Sequence, residues 1–212
     1  MNIDGRPWRT IGPEPDGCSV WVIDQTALPY SFGTKTLSSC QEAADAISTM
    51  VVRGAPLIGV TGAYGLALAL QADPSDAALA DAHAVLLATR PTAVNLQWAL
   101  DRVRDLVMVL PPEQRAEAAR QEAARIADED VAMCEAIGEH GLRLFQQLAA
   151  ARPAERQNEP FQVLTHCNAG WLATVDWGTA LAPIYKAHRA GLNIHVWVDE
   201  TRPRNQGASL TA

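Results

Sequence analysis

The first part of the chain carries short apolar runs separated by proline and glycine, a pattern typical of β structure. Residues 19–23 are rich in β-branched and aromatic side chains, and a second such run covers residues 30–37. Short runs of this composition between turn residues indicate strands. The pattern therefore predicts a small antiparallel sheet within residues 1–37.

Apolar positions then recur at helical spacing and predict a succession of helices. Ser39 and Glu42 form a capping-box pattern that opens a helix through about residue 50. Pro56 fits the first turn of the next helix, and the Asp73-Pro74 pair predicts the start of a third. Thr92 is placed to cap a fourth helix. Residues 113–150 are rich in strong helix formers and predict one long helix.

Two of these predicted helices contain glycines at regular short spacing. Gly59, Gly62 and Gly65 lie on one side of the second helix, where their small size predicts close packing against a neighbouring helix. Their GxxGxxG spacing within a helix does not match the dinucleotide fingerprint, which follows a strand. Gly138 and Gly141 predict a kink in the long helix.

A polar segment with two prolines, residues 151–160, separates these helices from a different pattern. A strand at 161–165, a loop, a helix at 179–190 and a strand at 194–198 form one βαβ unit, which implies parallel strands and a right-handed crossover. The predicted fold class is α/β. The predicted domains are a β plus helical domain at 1–150, a linker at 151–160, and the first βαβ part of a Rossmann-like parallel sheet at 161–212.

Composition narrows the possible functions. The chain is 48% hydrophobic with a net charge of −7, which argues against a nucleic-acid surface, since such surfaces need clustered Lys and Arg. The four cysteines are scattered without a CxxC pair, so we expect no metal site and a reducing, cytoplasmic location. The longest apolar run, residues 56–70, is shorter than the roughly 20 residues of a membrane span, so we expect no membrane contact.

Two arginines precede predicted helix starts. Arg53, Gly54 and Ala55 come directly before Pro56, and Arg90 comes before Pro91. Backbone N–H groups at a helix N-terminus, together with a nearby arginine, suit phosphate. The alternative for the first is an ordinary turn between helices with a surface arginine. For Arg90 the alternative is an arginine that satisfies a carbonyl or a surface carboxylate.

Cys167 follows the first strand of the βαβ unit. Ligands of open α/β sheets bind beyond the carboxyl ends of strands, and a cysteine in such a loop acts as a reactive group or simply packs in the core. Arg202 and Gln206 follow the second strand and are expected at the same edge. We interpret His140 as structural and Trp171, Trp177 and Trp197 as core residues. They are three of the six tryptophans of the chain.

Four sequence blocks together resemble a known family. They are Arg-Gly-Ala-Pro at 53–56, Arg-Pro-Thr-Ala-Val-Asn-Leu at 90–96, Leu-Thr-His-Cys-Asn-Ala-Gly at 164–170, and Glu-Thr-Arg-Pro with Gln-Gly at 200–207. Their order and content resemble methylthioribose-1-phosphate isomerase of methionine salvage, a family related to the regulatory subunits of translation initiation factor 2B.

The resemblance implies a β plus helical domain followed by a Rossmann-like domain, and conversion of 5-methylthioribose 1-phosphate to 5-methylthioribulose 1-phosphate without a cofactor. It implies that Arg53, Gly54, Ala55, Arg90 and Gln206 bind the substrate and that Cys167 is the active-site cysteine. Two alternatives remain open. One is a related substrate, such as 5-deoxyribose 1-phosphate or ribose 1,5-bisphosphate, and the other is a non-catalytic homologue of the translation-factor subunits.

The chain departs from the family pattern at its end. Family members continue with an aspartate proton donor and an Asn-Lys pair, for which residues 1–212 offer no position. We expect a truncated form that is inactive on its own. Family members are commonly dimers, and an incomplete sheet favours self-association, so a homodimer is expected.

Overall fold

Strands and helices occupy separate stretches of the chain until its last part, where they alternate. The computed structural model describes every residue from Met1 to Ala212. The strands are β1 (Asn2–Ile3), β2 (Arg6–Pro7), β3 (Ile11–Pro13), β4 (Val20–Ile23), β5 (Thr34–Leu37), β6 (Phe161–His166) and β7 (Ile194–Asp199). The helices are α1 (Cys40–Ser48), α2 (Ala55–Ala72), α3 (Asp76–Thr89), α4 (Val94–Met108), α5 (Pro112–Ala150) and α6 (Ala182–Arg189). The predicted α/β class is confirmed.

Packing divides the chain into two compact units. One comprises residues 9–130, and the other comprises residues 1–8 together with 131–212. The division therefore falls within α5 and not at the polar segment 151–160. The physical reason is that α5 continues unbroken to Ala150, and its last turns pack with the residues that follow it. The predicted domain division at 151–160 remains a prediction.

The sheet of the 9–130 unit is antiparallel, with strand order β3-β4-β5. Val22 pairs with Ile11 on one side and with Lys35 on the other, which confirms the predicted sheet. The predicted Ser39 cap of α1 is also present, while the return hydrogen bond of Glu42 goes to the residue before the cap. The hydroxyl of Ser39 accepts the N–H of Glu42 at 3.2 Å, and the Glu42 carboxylate accepts the N–H of Ser38 at 2.6 Å.

Two predicted helix starts are wrong. Ser75, not Asp73, caps α3, because its hydroxyl accepts the N–H of Ala78 at 3.2 Å. Asp73 instead ends α2 and accepts the N–H of Ser75 at 2.9 Å. Thr92 caps nothing, since α4 begins after Ala93 without a side-chain cap. In both cases a neighbouring residue occupies the position that the local pattern had assigned.

The three glycines of α2 lie where other helices approach it, as predicted. A Cβ on Gly59 would lie 2.9 Å from the backbone oxygen of Asn95, at the start of α4. A Cβ on Gly65 would lie 3.0 Å from the Cβ of Ala43 in α1. A side chain at either position would push a neighbouring helix away, so the glycines set the spacing of this helical layer.

By length and composition, α2 is the one helix of the structure that is apolar enough to cross a membrane. Within the 9–130 unit, however, 72% of it is buried inside the protein. A buried apolar helix is expected at the centre of a helical layer. Helix α2 is therefore the core helix of this unit.

The 131–212 part contains the predicted βαβ unit. Strands β6 and β7 are parallel, with Leu164 paired to Trp197. Helix α6 packs against α5 at the two glycines that were expected to kink α5. A Cβ on Gly138 would lie 2.8 Å from Lys186, and one on Gly141 would overlap the ring of Pro183. The glycines therefore serve a helix contact, within a helix that continues through both.

The face of the parallel sheet that carries Leu164 and Trp197 is open to solvent. Leu164 is 66% exposed and Trp197 is 57% exposed. The interpretation of Trp197 as a core residue is therefore wrong; its indole N–H donates to Gln162 at 2.7 Å. Trp177 is half-buried, and its ring contacts two cations, Lys186 at 4.3 Å and Arg189 at 4.7 Å from the ring centroid.

Candidate active site

Cys167 occupies a left-handed backbone conformation at the carboxyl end of β6. Its φ is 62°, a value that side-chain-bearing residues adopt at a cost. The surrounding backbone fixes this conformation, because the N–H of Cys167 donates to the carbonyl of Asp199 at 3.2 Å and its own carbonyl accepts the hydroxyl of Thr211 at 2.7 Å. Backbone strain of this kind is concentrated at functional sites.

The thiol of Cys167 contacts the side chain of Gln206. The distance from Sγ to Oε1 of Gln206 is 3.2 Å, and the S–H is the donor. Both side chains are half-buried. The expectation that the residues after β6 and β7 meet at one edge of the sheet is thereby confirmed for this pair. The roles of Cys167 and Gln206 in catalysis or binding remain predictions.

The loop after Cys167 is tied at both ends. Asn168 donates to the hydroxyl of Thr211 at 3.0 Å. Further along, Gly170 and Gly178 form an isolated antiparallel bridge, and a Cβ on Gly178 would overlap the backbone of Gly170. The loop is therefore held closed by contacts that only glycine permits at that point.

Two polar residues at this edge were not assigned a role from the sequence. The carboxylate of Glu200 accepts three backbone N–H groups of the segment that carries Gln206. Thr211 links the backbone of Cys167 to the side chain of Asn168. Glu200 directly follows β7, so the rule that ligands bind beyond the carboxyl ends of strands, called here the strand-end rule, could have selected it. No signal in the sequence marks Thr211.

In the 9–130 unit, Arg53 and Gly54 precede α2 as predicted. Gly54 is the N-cap residue with a φ of 92°, and no side chain caps this helix. The guanidinium of Arg53 donates to the backbone carbonyl of Gln25 at 2.9 Å, which fixes the arginine beside the helix start. Ala55 is the first residue of α2 and is exposed. This arrangement supplies the backbone N–H groups that the phosphate hypothesis requires.

Arg90 is the half-buried residue that ends α3, and its carbonyl accepts the N–H of Ala93 at 2.9 Å. The turn that follows leads into α4, whose first residues contact Gly59 of α2. The segments that carry Arg53 and Arg90 therefore lead to neighbouring helix starts in one unit. Whether both arginines bind one anion remains a prediction.

A separate cavity of about 320 Å³ lies in the 9–130 unit, with Val20, Tyr64 and Leu68 among its lining residues. None of the predicted site residues lines it. No group of three or more His, Cys, Asp or Glu side chains in the structure could hold a metal ion.

Comparison with known proteins establishes the family. The sequence pattern of the Initiation factor 2 subunit family matches residues 51–212, which is most of the chain and includes all of the predicted site residues. The chain belongs to this family.

Close relatives within the family carry one name. The chain is 66% identical, over all 212 of its residues, to methylthioribose-1-phosphate isomerase of Methylobacterium nodulans, of which it covers 57%. It is 61% identical to the protein of the same name from Rhodospirillum rubrum, of which it covers 55%. The chain thus spans a little over half the length of the curated relatives it matches.

Two solved structures share the fold. One is translation initiation factor eIF-2B, subunit delta, from A. fulgidus, at 38% identity and a TM-score of 0.79, over 97% of this chain and 58% of that one. The other is 5-methylthioribose 1-phosphate isomerase from Pyrococcus horikoshii, at 39% identity and a TM-score of 0.79, over 98% of this chain and 56% of that one. The resemblance drawn from the four sequence blocks is confirmed.

Proposed function

We propose that the protein is an aldose-ketose isomerase that converts 5-methylthioribose 1-phosphate to 5-methylthioribulose 1-phosphate in methionine salvage. The observation that carries the proposal is the contact of the Cys167 thiol with Gln206, 3.2 Å apart at the carboxyl edge of a parallel strand pair. Ligands of α/β sheets bind at this edge. The names of the relatives at 66% and 61% identity support the choice of reaction.

The phosphate is proposed to bind at the start of α2. Gly54 has no Cβ there, the first turn of α2 has no side-chain cap, and the fixed guanidinium of Arg53 adds positive charge. Backbone N–H groups at a helix N-terminus and arginine together stabilise a phosphate dianion. Ala55 adds its backbone N–H, and Arg90 is the proposed second cation.

The chemistry of this substrate calls for charge stabilisation. The anomeric oxygen carries the phosphate, so the sugar ring must be opened by the enzyme before hydrogen moves from C2 to C1. The transfer proceeds by a proton relay through an enolate or by a direct hydride shift, and both place developing charge on a sugar oxygen. Fixed dipoles in a site without bulk water stabilise such charge. The proposed role of Cys167 is this stabilisation, with Gln206 binding the substrate beside it.

The partner, the location and the oligomeric state of the enzyme are proposed from its charge, its cysteines and the resemblance. The net charge of −7 supports a small sugar phosphate, not a nucleic acid, as the partner. Scattered free cysteines support a cytoplasmic location. A homodimer is proposed from the resemblance, and light scattering of the purified protein tests it.

The test is an isomerase assay of the gene product that contains these residues, with 5-methylthioribose 1-phosphate as the substrate. We expect Cys167→Ala to lower kcat about 100-fold, the usual effect of removing one group that stabilises transition-state charge, with little change in substrate binding. Cys18→Ala is the matched control, because Cys18 is an exposed thiol outside the proposed site. Full activity of Cys167→Ala would remove the thiol from the mechanism.

The assay is repeated with two other sugar phosphates and with residues 1–212 alone. The same protein is tested with 5-deoxyribose 1-phosphate and ribose 1,5-bisphosphate, and the proposal requires the methylthio sugar to have the highest kcat/KM. Residues 1–212 are tested alone, where the resemblance predicts no turnover, since they span little more than half of the relatives.

A second candidate function is a non-catalytic regulatory subunit. The structure of the initiation factor subunit from A. fulgidus favours it, with the same TM-score of 0.79 as the isomerase structure. The higher identity to proteins named as isomerases favours the first candidate. Co-purification with a nucleotide-exchange complex, together with no turnover of any of the three sugars, would support the second.

A further inference from the structure

We propose that Glu200 is a positioning residue that holds the side chain of Gln206 against the thiol of Cys167. The inference rests on the proposed function, in which Gln206 binds the substrate beside Cys167. The hydrogen bonds of the Glu200 carboxylate are to backbone N–H groups, so Glu200 acts through the backbone on either side of Gln206.

Three hydrogen bonds carry the inference. One oxygen of the Glu200 carboxylate accepts the N–H of Thr201 at 2.7 Å and the N–H of Gly207 at 3.1 Å. The other oxygen accepts the N–H of Ala208 at 3.0 Å. The carboxylate therefore ties the residue that begins the segment to the two residues that directly follow Gln206.

The backbone next to Gln206 has little room to move. Gly207 is buried, and a Cβ on it would lie 2.5 Å from the carbonyl oxygen of Asp199 and 3.1 Å from the Cα of Glu200. The preceding residue, Asn205, has a φ of 51° and donates its N–H to the carbonyl of Thr201 at 2.8 Å. Gln206 thus lies between a left-handed residue and a glycine that is packed on the end of β7.

The charge of Glu200 agrees with this role. The N–H of Thr201, followed by those of Ala208 and Gly207, holds the pKa of the Glu200 carboxyl below its usual range, and the nearby Arg202 acts in the same direction. The carboxylate is therefore ionised at neutral pH, and hydrogen bonds to an ionised acceptor are the stronger kind. Glu200 is exposed to solvent, yet its carboxylate accepts three backbone N–H groups of one segment.

Loss of the Glu200 carboxylate is expected to change the reactivity of the Cys167 thiol. The side chain of Gln206 accepts the S–H of Cys167 at 3.2 Å. If the carboxylate of Glu200 is lost, the backbone that carries Gln206 gains freedom and the thiol loses this partner. Cys167 should then react faster with an alkylating reagent, whether or not the protein is active as an isomerase.

The experiment measures alkylation of the 212-residue chain by iodoacetamide at neutral pH, followed residue by residue by mass spectrometry. The variants are Glu200→Ala, Glu200→Gln, Gln206→Ala and the double variant Glu200→Ala with Gln206→Ala. The matched control is Glu155→Gln, an exposed carboxylate in the same packing unit. Exposed Cys18 is the internal standard for reagent, and buried Cys134, in the same unit as Cys167, reports whether that unit stays folded.

We expect the Cys167 rate to rise roughly fivefold in Glu200→Ala, less in Glu200→Gln, which keeps one accepting oxygen, and not at all in Glu155→Gln. Gln206→Ala should give a rise of similar size. The double variant should match Gln206→Ala alone, because two residues that act through one contact are not additive.

Two results would overturn the inference. One is a Cys167 rate in Glu200→Ala equal to that of the unsubstituted chain, and the other is a double variant whose effect is the product of the two single effects. If Cys134 also becomes reactive in Glu200→Ala, the unit has unfolded, and the inference is judged on Glu200→Gln: a Cys167 rate equal to that of the unsubstituted chain would overturn it. The expected alkylation pattern, together with no turnover by the gene product used in the isomerase assay, would reject the proposed function and keep the role of Glu200.

Discussion

At the scale of single residues, three of the five non-glycine residues with positive φ lie in the segments that carry Cys167 and Gln206, and the other two, Asp4 and Met50, lie elsewhere. Cys167, Trp177 and Asn205 all have φ between 51° and 67° without being glycine. Such a conformation costs about 1–2 kcal/mol for each residue, so the surroundings must impose it. For Cys167 they do so through the carbonyl of Asp199 and the hydroxyl of Thr211. The conformation of Cys167 supports a functional role for this residue, because such strain persists only where the surrounding structure imposes it.

Gly178 closes the same loop and provides a test of its rigidity. Its φ is 81°, and a Cβ would overlap the backbone of Gly170, whereas Gly191 has an almost identical φ of 82° with nothing within 4 Å of its Cβ position. We predict that Gly191→Ala costs about 1 kcal/mol, the backbone strain alone. Gly178→Ala should cost at least about 2 kcal/mol more, because it adds the overlap. Urea unfolding measures both, and equal costs would show that the loop opens without penalty.

At the scale of elements, local signals were sufficient where a single residue type could fill a position. Ser39 and Glu42 cap α1 as their spacing predicts, and the small residues of α2 lie at helix contacts. The local sequence signals gave the wrong N-cap where two possible capping residues lie within a few positions of each other. Ser75 displaced Asp73 as the cap of α3 because both have an oxygen that accepts backbone N–H groups, and the sequence does not rank them.

Contacts between distant residues could be predicted only at the carboxyl ends of the parallel strands. The strand-end rule placed Gln206 near Cys167, but the carboxylate of Glu200 that ties the segment was left without a role. Lys186 of α6 is another example, since its ammonium contacts Glu139 at 2.5 Å and Glu135 at 3.3 Å in α5. These partners are about fifty positions apart in the chain, and no periodicity links them.

The contact of α5 with α6 yields a prediction from two glycines one turn apart. A Cβ on Gly141 would overlap the rigid ring of Pro183, while one on Gly138 would meet mainly the flexible methylenes of Lys186. Replacing a helical glycine by alanine gains about 1 kcal/mol of helix propensity, and overpacking costs about 1–3 kcal/mol. We therefore predict that Gly141→Ala is clearly destabilising and that Gly138→Ala is close to neutral. Thermal unfolding followed by tryptophan fluorescence compares them, and the reverse order would show that α6 is free to move away from α5.

At the scale of the whole molecule, composition and packing identify different boundaries. The polar residues 151–160 have the composition of a linker, yet the packing units separate near residue 130. The contacts explain the difference. Phe145 of α5 packs on Phe161 with ring centroids 5.4 Å apart, and Lys186 binds two carboxylates of α5. The second half of α5 thus packs with the unit that contains the βαβ segment, and the predicted boundary at 151–160 stays a prediction.

This difference can be decided with three fragments of the chain. We predict that residues 9–130 unfold cooperatively in urea, because they contain a complete sheet and the buried helix α2. Residues 161–212 should show no cooperative transition, since a single parallel strand pair with one short helix buries too little apolar surface to fold alone. Residues 131–212 should have more strand and helix signal in circular dichroism, for each residue of their own length, than residues 161–212, because the last half of α5 covers α6 through Gly138 and Gly141. A cooperative transition of residues 161–212 by themselves would instead establish the boundary at 151–160 and would mean that the contacts of Lys186 with α5 join two independent domains.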